Sequence, residues 1–244
     1  MRRGLLIALA LVLFGAAKLP FEHALTRTAP LDLDLREQVG QMGFVAALSG
    51  FRAVVADFLF IRAYIAWERT EWSRVLFLFR QITTLQPRSI LFWDMAAWHM
   101  AWNAGTAALN DPAQPRLALR LKAQREYFDL GRDFLEHGIK NNPDRPQLYE
   151  ALARLYRDKY KDHARAAEYF AQAATKPEAP GYAKRFAAYE LSYCDGRERE
   201  AYDRLLALYQ AGEKERLPTL ISRLKFLEEK LNIPPDQRIS DPAR

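Results

Sequence analysis

Residues 92–105 read FWDMAAWHMAWNAG, with three tryptophans and two methionines set among alanines around Asp94 and His99. At 100° per residue, Trp93, Ala96, Ala97 and Met100 fall on one side of a helix. Trp98 lies roughly 140° from Trp93, with Trp102 beside it. A helix with aromatic surface on both sides needs a bilayer, a ligand or other helices to cover it. The bilayer reading fails nearby: Phe44 to Trp67 contains Arg52, Asp57 and Arg62, each costing about 2.5–3.5 kcal/mol at a membrane-helix centre. Packing against other helices remains, and it predicts an all-α protein.

The rest of the chain agrees. From residue 31 to 232, Ala, Leu, Arg, Glu and aromatics recur at helical spacing, and hairpin turn signals are scarce. Four segments repeat a pattern of apolar or small residues at offsets of four and three. They are Val75-Phe79-Ile82, Gly131-Leu135-Gly138, Ala166-Phe170-Ala173 and Ala201-Leu205-Leu208. Pro87, Pro143 and Pro177 close the first three, because proline cannot continue a helical hydrogen-bond ladder. Each segment is matched by an alanine in a neighbouring helix, at Ala63, Ala97, Ala153 and Ala188, where a small side chain lets two helices approach closely.

This pattern resembles the tetratricopeptide repeat, a helix–turn–helix unit. Trp93/Ala96/Ala97/Met100 and Tyr149/Leu152/Ala153/Tyr156 supply its large-small-small-large first helix. The unit carrying Ala166, Phe170, Ala173 and Pro177 matches best, while Leu59, Arg62 and Lys184 depart from the large positions. The resemblance implies an α-α superhelix of helical hairpins spanning residues 56–87, 89–143, 147–177 and 181–212. The second hairpin is extended by an insertion around NDPAQP (110–115), with a long helix over 116–140. An amphipathic helix at 36–48 and another at 217–231 are expected to cap the array, and 233–244 to form a flexible tail.

The resemblance also implies a groove lined from four positions of each first helix. Transferred by register, these are Asp57, Phe60, Tyr64 and Trp67; Leu91, Asp94, Trp98 and Ala101; Gln147, Glu150, Arg154 and Arg157; and Tyr182, Arg185, Tyr189 and Ser192. Aromatic anchors and charges of this kind suit a peptide or helix of another protein, with the arginines taking a carboxylate. Structural roles stand beside this. Asp57 and Asp94 can pair with Arg52 or Arg62 in a buried network, and Trp98 and Trp102 can be covered by residues 36–48 or 116–140. Arg154 and Arg157 can also be an ordinary solvated face.

The N-terminal MRRGLLIALALVLFGAAKLP has the parts of an export signal: Arg2 and Arg3, then an apolar run, then small residues before Lys18. The run over 4–17 reaches about 21 Å at 1.5 Å per residue, short of the ~30 Å hydrocarbon core. Three readings stay open for this leader: a cleaved signal, a retained anchor over 4–21, or a buried N-terminal core helix. The first two export the remainder to the periplasmic side of a bacterial inner membrane.

Half of the net charge of +6 sits in this leader, where Arg2, Arg3, Lys18 and Arg27 face Glu22 alone. No basic face for nucleic acid is evident beyond it. Cys194 is the only cysteine, so no internal disulfide forms. The scattered histidines His23, His99, His137 and His163 offer no metal-ligand spacing, and no nucleophile elbow, phosphate loop or dinucleotide fingerprint is present. Neither cofactor nor metal is expected, and His99 is expected to donate a structural hydrogen bond near Asn103. The expected function is a non-enzymatic scaffold or adaptor of the cell envelope. A self-associating structural subunit of a membrane complex is the alternative, and a cell-wall-active enzyme on a helical scaffold is a weaker one.

Overall fold

Helix α1 (Arg52–Glu68) turns through Thr70, whose left-handed φ of 56° lets the Glu71 amide return to the Ala66 carbonyl at 2.9 Å, and leads into α2 (Trp72–Leu85). Ala56, Leu59, Ala63 and Ala66 of α1 are buried in this hairpin with Val75, Phe79 and Ile82 of α2. The small residues on α1 bring the two backbones together. A computed structural model describes residues 50–239. Among these, helix follows helix without a strand, so the fold is all-α. The segments expected at 1–30 and 36–48, and residues 240–244, lie outside the described residues.

The chain divides into two compact units meeting at Pro143/Asp144. In the first, α3 (Ile90–Trp98) runs through a π-helical stretch (His99–Ala104) into the short α4 (Gly105–Leu109). A loop containing Asp111 and Pro115 leads to α5 (Leu117–Asn141), 25 residues long, so the insertion extends the second helix as expected. Gly131 marks the closest approach. A Cβ there would stand 2.8 Å from Ala101 Cβ and 3.0 Å from the Ala97 carbonyl oxygen. The π-helical widening and the small residues at 97, 101 and 131 therefore meet at one crossing.

The base of this pair is tied by polar contacts. The Trp93 indole donates to the Pro87 carbonyl at 2.9 Å, and the Asn142 amide donates to the same carbonyl at 2.9 Å and to that of Gly138 at 3.0 Å. Arg88 donates to the Asn141 carbonyl. The bonds to the Gly138 and Asn141 carbonyls satisfy acceptors in the last turn of α5, and those to Pro87 tie the start of α3 to its end.

In the second unit, α6 (Pro146–Leu155) passes into a π-helical stretch (Tyr156–Tyr160), followed by α7 (His163–Ala174), α8 (Tyr182–Leu191), α9 (Glu198–Gln210) and α10 (Pro218–Lys230). Pro146 and Pro218 occupy first-turn positions, where a missing N–H costs nothing. The Asp162 carboxylate caps α7 by accepting the Arg165 amide at 2.9 Å. Ala153, Ala166, Phe170, Ala173, Ala188, Ala201 and Leu205 are buried, whereas Leu208 is only half-buried.

The expectation of a flexible tail from 233 needs correction over 233–239. Ile233 is buried in the α8–α10 core, its amide donates to the Glu228 carbonyl at 2.9 Å, and the Ile239 amide donates to the buried Glu228 carboxylate at 2.7 Å. The segment folds back because an acid on α10 supplies the acceptor that the turn needs. Among the described residues, no helix is long and apolar enough to cross a membrane.

Candidate functional site

In the first unit, Asp57, Phe60, Tyr64 and Trp67 share an arc of roughly 80° on α1, by the 100° advance of a helix. Tyr64 is 51% exposed and Trp98 on α3 is 43% exposed. The rings form a continuous run. Tyr64 meets Trp67 at 5.3 Å between centroids, Trp67 meets His99 edge-on at 5.5 Å, and His99 meets Trp98 at 5.0 Å. Phe60 sits deeper, between Phe79 at 6.1 Å and Phe92 at 5.5 Å. Leu91 is exposed, whereas Ala101 is fully buried at the Gly131 crossing and lines no open face.

Asp57 and Asp94 are both exposed, so neither belongs to a buried ion network. Arg52 donates instead to the Thr84 carbonyl at 3.4 Å, and the exposed Arg62 lies 5.9 Å over the Phe58 ring. The inserted helix leaves Trp98 open. The arrangement is an exposed aromatic face with a carboxylate on each of its two helices.

His99 forms the floor of that face and was not among the site residues expected from sequence. It is buried between Trp67, Phe79 and Trp98. The Asn103 amide nitrogen stands 3.2 Å from Nδ1. An amide NH₂ only donates, so Nδ1 accepts and the ring proton resides on Nε2. The expected pairing is thus present with its direction reversed. Burial lowers the His99 pKa from 6.5 to about 4, so the ring is neutral at physiological pH. An unfolded chain takes up this proton as pH falls through 6.5, and the folded chain only near 4. The stabilisation is therefore complete above about pH 6.5 and is lost as pH falls toward 4, by about 3 kcal/mol in total. Urea midpoints measured from pH 7 to 4.5 are expected to show this decline, and His99→Phe to flatten it.

The second unit separates its expected site residues. The Glu150 carboxylate is buried and accepts the Tyr182 hydroxyl at 2.8 Å, an interaction that raises the tyrosine's pKa. Arg157 donates to both Asp158 oxygens at 2.7 and 3.3 Å, and lies 3.9 Å from the buried Glu190. Glu190 also holds the His163 ring at 2.7 Å. Arg185 is bound to Glu215 at 2.6 Å. Tyr189 is buried with its hydroxyl lacking a hydrogen-bond partner, and Ser192 is buried under Arg223, which donates to its hydroxyl at 2.8 Å. Arg154 and Gln147 remain exposed.

The arginines expected to act together against a carboxylate therefore differ. Arg154 is a solvated cation, whereas Arg157 and Arg185 are occupied by acids of the chain itself. Arg154→Glu is expected to leave the melting temperature within about 2 °C. Arg157→Glu sets a second negative charge beside buried Glu190 and is expected to cost about 1–2 kcal/mol, discounted because the guanidinium is partly exposed. Thermal melts of the two single variants distinguish these outcomes.

Comparison with protein-family models, with curated proteins and with solved structures finds no match to this chain.

Proposed function

We propose that the protein is a non-enzymatic adaptor of the bacterial cell envelope, built from tetratricopeptide-like helix pairs. It captures a peptide or helix of another envelope protein on the aromatic face of its first unit. The leader at 1–30 exports the chain, and residues 4–21, where retained, hold it at the inner membrane. The observation that carries this reading is the exposed Tyr64–Trp67–Trp98 face above a neutral, buried His99. Such a surface supplies rigid apolar anchors at little conformational cost. Exposed Asp57 beside these rings favours a partner segment carrying lysine or arginine next to its apolar residues.

The close-contact alanines at 63, 97, 153 and 188 support the repeat reading, since each is at most 1% exposed. The test is affinity capture of envelope proteins by the full-length protein and by Tyr64→Ala/Trp98→Ala. Loss of one discrete partner in the variant, with folding retained, supports the adaptor. Identical capture by both proteins contradicts it.

A further inference from the structure

The N-terminal turns of α5 carry apolar surface that no part of the first unit covers. Leu135 and Phe128 are buried on one stripe of this helix, and Leu121 and Leu117 extend the stripe at helical spacing. Along it, exposure rises from 0% at Leu135 and 7% at Phe128 to 48% at Leu121 and 55% at Leu117. The cover ends where α4 ends. A Cβ on Gly105 would stand 2.8 Å from the Phe128 ring, and the Leu109 carbonyl accepts from Arg120 at 3.2 Å. Beyond that bond the helix stands clear, and every residue from Pro115 to Leu119 is exposed.

The placement of the leucines restricts what can cover this end. Leu119 is 42% exposed and lies on the side of the helix opposite Leu117 and Leu121, at 100° per residue. The groove of a protein partner takes one side of a helix and would leave the other leucine side in water. A fluid surface closes around the end and takes both.

The charge restricts it further. Pro112 to Arg125 include Arg116, Arg120, Lys122 and Arg125 and no acid, whereas basic and acidic residues nearly balance over the rest of the chain beyond residue 30. The nearest acid reached by Lys122 is Glu126, in an exposed pair at 3.9 Å. A nucleic acid would engage the cations and leave three leucines unburied. Leucines on both sides of a helix end, with cations among them, instead match the headgroup layer of a bilayer. The apolar chains reach the acyl boundary there, and the cations meet lipid phosphates.

We propose that the N-terminal end of α5 docks on the surface of an anionic phospholipid bilayer. This contact uses none of the aromatic residues on α1 and α3, and it does not depend on the adaptor reading.

The test uses the full-length protein with Cys194→Ser, so that an introduced thiol is the only one. An environment-sensitive fluorophore is attached at Ala118→Cys or, separately, at Phe77→Cys, both exposed positions. Each protein is mixed with vesicles of phosphatidylcholine alone, or of equal parts phosphatidylcholine and phosphatidylglycerol, carrying a spin label on the acyl chains. One lysine or arginine near an anionic surface strengthens binding about fivefold, so quenching at 118 is expected to be at least about fivefold greater with the mixed vesicles than with neutral ones. Position 77 is expected to show little. Because the probe reports position 118 alone, vesicle binding through the leader does not produce the signal. Arg116→Glu/Lys122→Glu, at two exposed positions, is expected to abolish the quenching with the melting temperature unchanged, and Leu117→Ser/Leu119→Ser to do the same. Absence of quenching at 118 overturns the proposal, as do equal quenching in neutral vesicles, equal quenching at 77, or undiminished quenching in the charge variant. A spectral shift at 118 produced by DNA or by an envelope protein extract, and not by vesicles, overturns it in favour of that partner.

Discussion

Replacing both Tyr64 and Trp98 by alanine is expected to weaken partner capture at least 30-fold for each ring removed. Aromatic anchors at the centre of an interface typically contribute about 2 kcal/mol or more, which corresponds to about 30-fold in affinity. The two rings are 51 and 43% exposed, so less of their area supports the fold than at a fully buried position. The melting temperature is expected to fall by no more than about 3 °C in each single variant. Titration of the captured partner against each variant, with thermal melts in parallel, measures both quantities. A large fall in melting temperature with unchanged affinity would mean that the rings serve packing alone.

Trp93→Ala is expected to have the largest effect on stability. Trp93 is 1% exposed, its ring centroid lies 6.3 Å from that of Phe134, and its indole donates to the Pro87 carbonyl at 2.9 Å. Removing it leaves a cavity between α3 and α5 and deletes one of the polar ties at the base of the pair. Loss of a buried tryptophan typically costs about 3–5 kcal/mol. For a chain of this size that lowers the melting temperature by about 10 °C or more. Phe77→Ala, at a position 60% exposed on α2, is the matched control and is expected to change it by less than about 2 °C. Comparable losses from the two would place the core elsewhere.

The helical class and the pairing positions were legible because burial leaves a periodic trace. Trp93, Ala96, Ala97 and Met100 form one side of a helix in the sequence and are all buried in the structure. The insertion was legible too, since the prolines at 112 and 115 exclude a continuous helix there. The groove was only partly legible, because register says which way a side chain points and not what meets it. Glu150 is consumed by Tyr182, 32 residues later, and Arg185 by Glu215. Arg157 is held by its immediate neighbour Asp158. Adjacent side chains diverge by about 100° on a regular α-helix, and this pair lies within the π-helical stretch Tyr156–Tyr160. The role of His99 was hidden for a similar reason. Its ring is surrounded by rings from three helices, and only their packing shows that it stays neutral.

A photoreactive phenylalanine analogue placed at Trp98, and separately at Phe77, tests the adaptor account most directly in intact cells. The account predicts one discrete adduct with another envelope protein from position 98, absent from position 77 and lost when Tyr64 is also alanine. Adducts of equal pattern from both positions, or from position 98 to lipid or this chain alone, would contradict it.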